Sequence, residues 1–185
     1  MAGPDLYELL HALTSKVYGK YAGVVDDNAD PQQLGRLRVL CPAVLGSNPV
    51  WALPCVPYAG PGVGFFMLPP VGAGVWVEFE GGDAGRPIWA GCYWASGQLP
   101  TDASSADHKV IVTDQASWTI DDSSGEIVMK NASGASVTWN SDVVTEAGSA
   151  THTVGAAGVV SESSPGKVEV GASGVSVNSG AFTVM

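Results

Sequence analysis

Positive charge is scarce in this chain. It has 8 Lys and Arg residues against 18 Asp and Glu residues, which gives a formal net charge of −10 over 185 residues. Proteins that bind nucleic acid usually gather Lys and Arg into a patch that neutralises phosphates. The deficit therefore argues against nucleic acid as a partner, and the acidity itself favours solubility rather than any particular fold.

Cysteine and long apolar runs are also scarce. The three cysteines, Cys41, Cys55 and Cys92, are odd in number and lack the spacings of zinc or redox motifs. We expect all three to be buried free thiols. No stretch approaches the ~20 apolar residues of a membrane helix, and the N-terminus lacks the basic and apolar segments of a secretion signal. These features predict a protein that is assembled in the cytoplasm.

No arrangement of residues typical of catalysis is present. The sequence has no GxSxG, no paired carboxylates on a shared scaffold, and no GxGxxG followed by a helix. We expect no enzymatic activity, no catalytic residue and no cofactor.

Helical periodicity is confined to residues 5–17. Leucine and valine recur there at helical spacing and form one apolar stripe. The pattern predicts an N-terminal helix over residues 1–17, packed on its own domain or docked on a partner. The stripe consists of Leu6, Leu9, Leu10, Leu13 and Val17.

Residues 18–97 have the alternation of short strands. Leu37 and Val39 alternate with Arg36 and Arg38, and Val75, Val77 and Phe79 alternate with polar or aromatic residues. The segment with Pro54 and Pro57 predicts an edge or bulged strand. Five such strands are enough for a small closed Greek-key barrel.

A small, polar stretch over residues 98–108 predicts a linker, and residues 109–185 then change character. Apolar residues recur there in pairs with one residue between the two members, separated by Gly, Ser, Asn and Asp, although residues 143–165 look less regular. This is a repeat of minimal strands. The pairs are Trp118/Ile120, Ile127/Met129, Val137/Trp139, Val168/Val170, Val175/Val177 and Phe182/Val184.

One copy of this region has too few apolar residues to fold alone. Two inward side chains per short strand do not offset an ordering cost of roughly 1–2 kcal/mol per residue for the backbone. Association of identical chains is a direct solution. We predict a homotrimer whose chains wind around one axis; a single-chain β-solenoid remains an alternative.

Two segments resemble a known family. "LGRLRVLCP" and "VWALPCVPYAGPGVGFFMLPPVGAGVWVEFEGGDAGRPIWAGCYW" look like the OB-fold module of contractile-tail spike proteins, of the phage baseplate assembly protein V and valine-glycine repeat protein G types. The matching positions are Pro70, Gly72, Val75, Val77, Phe79, Gly82, Asp83, Arg86, Pro87, Ile88 and Gly91. The region from His108 onward also looks like the triple-stranded β-helix of that family.

The resemblance implies an all-β chain. It would contain a short N-terminal helix (1–17), an OB-fold Greek-key barrel (18–97), a linker (98–108) and a trimeric intertwined β-helix or β-prism (109–185). It further implies that Asp83, Arg86 and Pro87 help to close the barrel hairpin. Asp83 and Arg86 lie near enough in sequence to form a surface ion pair across the turn.

The resemblance also implies a role and partners. The chain would be the structural central spike, the envelope-piercing needle, of a contractile injection system or phage tail baseplate, related to type VI secretion. Only a short segment precedes the barrel, so a separate baseplate hub protein is expected. A tip protein of the proline-alanine-alanine-arginine type, or an effector cargo, would sit on Phe182, Val184 and Met185. The spike would belong to a virion or an injection particle made in the bacterial cytoplasm, and would contact the target envelope transiently.

His152 is the one residue with a metal-binding alternative. The sequence predicts no metal site, but His152 shares the alternation of Val154 and would point to the axis of a trimer, where three imidazoles converge on a metal ion or, if protonated, on an anion. The simpler interpretation is a packed or exposed histidine.

Two other functions stay open at this point. Barrels of this type also bind oligosaccharides or single-stranded nucleic acid, and surface tryptophans stack on such ligands. An enzyme acting on cell-wall glycan would need a pair of carboxylates in a cleft.

Overall fold

The computed structural model describes residues 5–6 and 16–184, except for the side chain of Thr183. Most of the helix predicted over residues 5–17, and Met185, lie outside the described residues. The chain divides into two compact units after Gln98. Each unit is described by itself.

The first unit is built around a closed barrel of five strands in the order β1-β2-β3-β7-β6. Four neighbouring pairs are antiparallel, and β3 pairs with β7 in parallel. The elements in chain order are β1 (Tyr21–Asp27), β2 (Leu37–Leu40), a short helix α1 (Pro42–Leu45), β3 (Val50–Pro54), β4 (Ala59–Gly60), β5 (Val63–Gly64), β6 (Gly74–Phe79), a 3-10 turn (Glu80–Gly82) and β7 (Pro87–Tyr93).

The barrel core follows the alternation in the sequence. Leu37 and Val39 on β2, and Val75 and Val77 on β6, are fully buried, whereas the arginines on the other face of β2 are not. Trp89 closes the core from β7, and its indole N–H donates to the carbonyl of Gly35 at 3.2 Å. The predicted inward faces of β2 and β6 are therefore confirmed.

Three predictions for this unit are wrong. β3 is not an edge strand, because it pairs with β2 on one side and β7 on the other; Pro54 stands at its last position, and the N–H of Cys55 donates to the carbonyl of Trp89. Cys41 is buried as expected, but Cys55 and Cys92 are exposed. Cys55 lies just beyond β3, and Cys92 follows Gly91, which has φ +92° where the ladder between β6 and β7 shifts register.

The second unit is a sheet of ten strands in strict chain order. Every neighbouring pair is antiparallel, so each strand pairs with the strands before and after it in the chain. The strands are β8 (His108–Val112), β9 (Ala116–Asp121), β10 (Glu126–Asn131), β11 (Ser136–Trp139), β12 (Val143–Ala147), β13 (Ala150–Gly155), β14 (Gly158–Ser163), β15 (Gly166–Gly171), β16 (Gly174–Val177) and β17 (Phe182–Val184).

This arrangement corrects two details of the sequence analysis. Residues 143–165, which look irregular in sequence, form β12, β13 and β14 with unbroken ladders. The antiparallel order also differs from a single-chain β-solenoid, whose stacked coils pair in parallel. The backbone ladder is made within one chain.

Short turns with polar side chains join the strands. In the turn after β9, the carboxylate of Asp121 accepts hydrogen bonds from the hydroxyl groups of Ser123 and Ser124. These bonds, with the Ser123 N–H, lower the pKa of Asp121 from 3.8 to about 2. The turn is thus fixed by hydrogen bonds that need an ionised carboxylate.

The two units differ most in burial. The nine residues of the buried hydrophobic core lie between Val25 and Trp89, in the barrel unit. Between residues 99 and 184, no described residue is buried. The expected all-β fold, with a small barrel followed by a β-rich C-terminal region, is confirmed. The C-terminal region is a single layer in one chain.

Candidate functional site

One face of the C-terminal sheet carries most of its large apolar residues, including all of its tryptophans and isoleucines. Residues paired across neighbouring strands point to the same side of a sheet, and successive residues along a strand alternate. The registers therefore assign the strand residues to columns that run across the sheet. The apolar face consists of a lateral column and a middle column, and all six apolar pairs predicted from the sequence lie on it.

The lateral column is apolar without interruption. It runs through Ile120, Ile127, Trp139, Val143, Val154, Val159, Val170, Val175 and Val184, each opposite the next across one strand pair. Nine consecutive strands each contribute one member.

The middle column is apolar at both ends and polar at its centre. It runs through Ile111, Trp118, Met129, Val137, Thr145, His152, Ser161, Val168, Val177 and Phe182. Beside its polar centre lies a column of short side chains: Ala147, Ala150, Ser163 and Gly166.

The opposite face carries the charges of the described strands, except that of Lys109 on β8, which stands opposite Ile120. Described strand residues from β9 to β17 place no charged side chain on the apolar face. On the opposite face, Lys167 pairs with Glu169 at 2.8 Å, and Glu169 raises the pKa of Lys167 through this contact. The charged residues there are Asp121, Glu126, Lys130, Glu146, Glu162, Lys167 and Glu169.

In a single chain the apolar face is open to solvent. Trp118 is 43% exposed, Met129 is 47% exposed and Phe182 is 62% exposed. Ile111, Trp118, Met129 and Val137 line an apolar hollow of about 460 Å³ at the start of the sheet. A continuous apolar patch of this kind marks an interaction surface.

His152 lies at the polar centre of the middle column. It shares a face with Val154, as the alternation predicts, and its cross-strand neighbours are Thr145 and Ser161. Its ring nitrogen Nδ1 lies 2.7 Å from the Ser161 hydroxyl oxygen. The roles of Thr145 and Ser161 were missed from the sequence, although the alternation of Val143 and Val159 already places both on this face.

The predicted tip-contact residues belong to the last strand. Phe182 and Val184 stand opposite Val177 and Val175, on the apolar face, and both are exposed. Met185 lies outside the described residues. Phe182 and Val184 thus end the middle and lateral columns, and β17 has a strand neighbour on only one side among the described strands.

In the barrel hairpin, the predicted ion pair between Asp83 and Arg86 is not formed. Arg86 pairs with Glu80, with Nη2 to Oε2 at 2.7 Å, rather than with Asp83. The carboxylate of Asp83 instead accepts the N–H of Gly85 at 2.9 Å, which fixes the turn. Pro87 is buried at the start of β7, opposite Phe79.

The basic residues of the barrel are paired with acids. Arg36 donates two hydrogen bonds to Asp30, a residue the sequence analysis missed although an Asp followed by a proline signals a turn. These hydrogen bonds hold the pKa of Asp30 well below its usual range. Arg38 pairs with Asp26, and both arginines lie over the ring of Trp51. Little free positive charge is left for nucleic acid.

The other tryptophans of the barrel hairpin have separate environments. Trp89 is part of the core, Trp76 packs against Tyr93 with ring centroids 4.9 Å apart, and Trp94 is exposed. Packing accounts for Trp89 and Trp76, and Trp94 is the one of the three left exposed.

The described residues hold no group of three His, Cys, Asp or Glu side chains that could bind a metal ion within one chain. None of the helices among them is long and apolar enough to cross a membrane.

A family model matches the barrel. The match covers residues 21–94 and is described as the type VI secretion system/phage-baseplate injector OB domain. These residues correspond to the barrel from the first residue of β1 to just past the end of β7. No curated protein matches the chain.

Proposed function

We propose that this chain has a baseplate spike role and that three copies of it form the piercing needle; the match of residues 21–94 to the type VI secretion system/phage-baseplate injector OB domain supports the role. In this proposal the barrel joins the needle to a separate hub protein of the baseplate. The C-terminal sheets form the shaft. The role is structural, and no step of it requires catalysis.

The open apolar face of the C-terminal sheet is the observation that carries the proposal. A sheet of ten strands without a buried residue has no core of its own. Each fully buried Val, Leu, Ile, Phe or Met side chain contributes about 1.5–3 kcal/mol. Packing three apolar faces around one axis would bury both columns in every copy and supply the missing core.

The charge distribution agrees with this packing. From β9 to β17 the apolar face has no charged strand residue, and Lys109 of β8, on the same face, pairs with Asp122 at 2.8 Å, so no unpaired charge would be buried there. The face with acidic residues and lysines would become the outside of the shaft. Because the backbone ladders are made within each chain, the three sheets would associate through side chains, in the manner of a prism.

The shaft would act mechanically. Contraction of a sheath would drive the trimer into the target envelope, and antiparallel ladders along its length would resist bending. The acidic surface would limit adhesion to anionic envelope polymers. The proposed place of action is a virion or an injection particle, and the proposed place of assembly is the bacterial cytoplasm.

The last strand is the proposed seat of the tip. Three copies of Phe182 and Val184 at one end of the prism would form a small apolar platform for a tip protein of the proline-alanine-alanine-arginine type or for an effector cargo. The same side chains also complete the two columns, so both roles can hold together.

Sedimentation or multi-angle light scattering of the purified chain tests the assembly. We expect a particle of three times the 18.9-kDa chain mass. A stable monomer with the C-terminal sheet ordered would refute the proposal. Deleting residues 180–185 should abolish binding of the tip protein while the trimer persists; retained binding would refute the platform.

A further inference from the structure

We propose that the three barrels of the trimer pack against one another through an apolar surface around the β4–β5 hairpin, so that the hairpin of each copy lies against a groove in the next copy. This inference rests on the proposed trimer, and it adds a contact between barrels to the contact between C-terminal sheets. We call this surface the arm surface. Its exposed members are Leu34, Tyr58, Val63, Phe65, Phe66 and Met67.

The hairpin carries its large side chains on one side. Ala59 pairs with Gly64, and beyond that pair the N–H of Phe65 donates to the carbonyl of Tyr58 at 2.8 Å. Successive residues of a strand alternate between its two sides. Tyr58, Val63 and Phe65 therefore share one side of the hairpin, and the other side has the small residues Ala59 and Gly64. One side is thus shaped to fill an apolar groove.

Such a groove exists on the same chain. It has a volume of about 380 Å³ and is lined both by the hairpin and by residues of the barrel, among them Leu34, Gly35, Pro54 and Trp89. The described residues that line it include no charged side chain. A charge buried in this groove would have no opposite charge beside it, at a high cost in free energy. The groove therefore favours an apolar, uncharged occupant.

The exposed area is large enough for an interface. Phe66 is 75% exposed, Tyr58 is 59% exposed and Phe65 is 50% exposed. Aromatic side chains bury about 150–250 Å² each, so these three rings alone leave roughly 300–450 Å² uncovered. A standard stable interface takes about 800 Å² from each partner. With its three aliphatic members, the arm surface supplies a large part of that area.

A second copy of the chain is the occupant that fits. One chain supplies both halves of the contact, an apolar hairpin and an apolar groove. Head-to-tail contacts of this kind build open filaments unless a rotation closes them. The proposed trimer closes them after three copies. Its C-terminal sheets would also hold the three barrels at the high local concentration of linked modules, which favours a contact between them.

Photo-cross-linking of the purified full-length chain tests the contact. Phe66→p-benzoylphenylalanine places a photoreactive ring on the arm surface, and Val71→p-benzoylphenylalanine places the same ring at an exposed apolar residue that lines a different hollow. We expect illumination at position 66 to give covalently joined chains on a denaturing gel. Mass spectrometry should place the cross-link in residues 33–35 or 54–56 of the partner copy. Position 71 should give no joined chains.

A charge in the groove provides the second variant. Leu34→Asp, combined with the photoreactive ring at position 66, should lower the yield of joined chains by about tenfold or more, because the contact would bury an unpaired carboxylate. Val71→Asp in the same background should leave the yield unchanged. Both variants should sediment as trimers, because the C-terminal sheets hold the copies together.

The outcomes separate this inference from the proposed function. A stable trimer that gives no joined chains at position 66, or an undiminished yield with Leu34→Asp, overturns the contact between barrels and leaves the needle intact. A cross-link from position 66 to residues 1–15 of its own chain also overturns it, as does a cross-link that forms only with added hub protein. A parent chain that is monomeric by sedimentation overturns the proposed function, and this contact with it.

Discussion

Val143 and Val144 are adjacent on β12 and point to opposite faces of the sheet, which makes them a matched pair for testing the trimer. Val143 belongs to the lateral column, between Trp139 and Val154, and is 37% exposed in one chain. Val144 stands between two threonines on the opposite face and is half-buried. The single chain thus protects Val144 more than Val143, whereas the proposed trimer buries Val143.

In a single chain, Val144→Asp would be the more damaging of the two substitutions, because Val144 is the more buried valine. In the proposed trimer, Val143→Asp should be the more damaging one. Both changes lose the same β-propensity. In the trimer, Val143→Asp would bury a carboxylate with no partner, at about 3–5 kcal/mol per chain. Three copies make roughly 10 kcal/mol, or about seven powers of ten in the association constant at 1.4 kcal/mol per tenfold. Val144→Asp places its carboxylate among hydroxyl groups at the proposed outer surface.

Sedimentation velocity over a concentration series measures the effect. We expect Val143→Asp to sediment as monomers at concentrations where the parent and Val144→Asp remain trimeric. Circular dichroism would show whether β structure is lost together with association. Equal behaviour of the two variants, or dissociation by Val144→Asp alone, would refute the packing through the apolar face.

Three further predictions concern single contacts. Leu37→Ala should lower the free energy of unfolding of the barrel by about 2–5 kcal/mol in urea denaturation, because Leu37 is fully buried; a loss below ~1 kcal/mol would contradict the core assignment. A double-mutant cycle should give Glu80 and Arg86, which are exposed, a coupling of about 0–1 kcal/mol, and a larger coupling of Arg86 with Asp83 would contradict the observed pairing. The pKa of Asp121 is lowered from 3.8 to about 2, so the stability that its carboxylate contributes is fully present above about pH 4 and is lost as the pH falls towards 2. Asp121→Asn should remove this part of the acid dependence of the thermal unfolding midpoint. An unchanged dependence of the midpoint on pH would contradict the prediction.

Much of the fold was predictable because local alternation determines it. The inward residues of β2 and β6 follow from a two-residue period, and the same period assigns the C-terminal pairs to one face. What periodicity does not contain is which strand lies beside which. The position of β3 between β2 and β7 depends on a parallel pairing distant in sequence, and Pro54 is tolerated there because it ends the strand.

The candidate site was predictable in part. The alternation places His152 on the face of Val154, but the hydrogen bond to Ser161 depends on the register of β13 against β14. That register could not be predicted from the sequence, because glycine and serine interrupt the apolar alternation in residues 143–165. The pairing of Arg86 with Glu80 likewise depends on the turn geometry, which sequence spacing does not contain. In that turn the Asp83 carboxylate accepts the backbone N–H of Gly85.

The strict chain order of the ten strands has a consequence for how such a protein changes over time. Since each strand touches only its predecessor and successor, removing two adjacent strands with their turn would let the flanking strands meet with their directions and inward residues unchanged. Removing a single strand would reverse the direction of everything after it. Among related chains, the number of strands in this sheet should therefore differ by multiples of two, because each tolerated insertion or deletion is a whole hairpin.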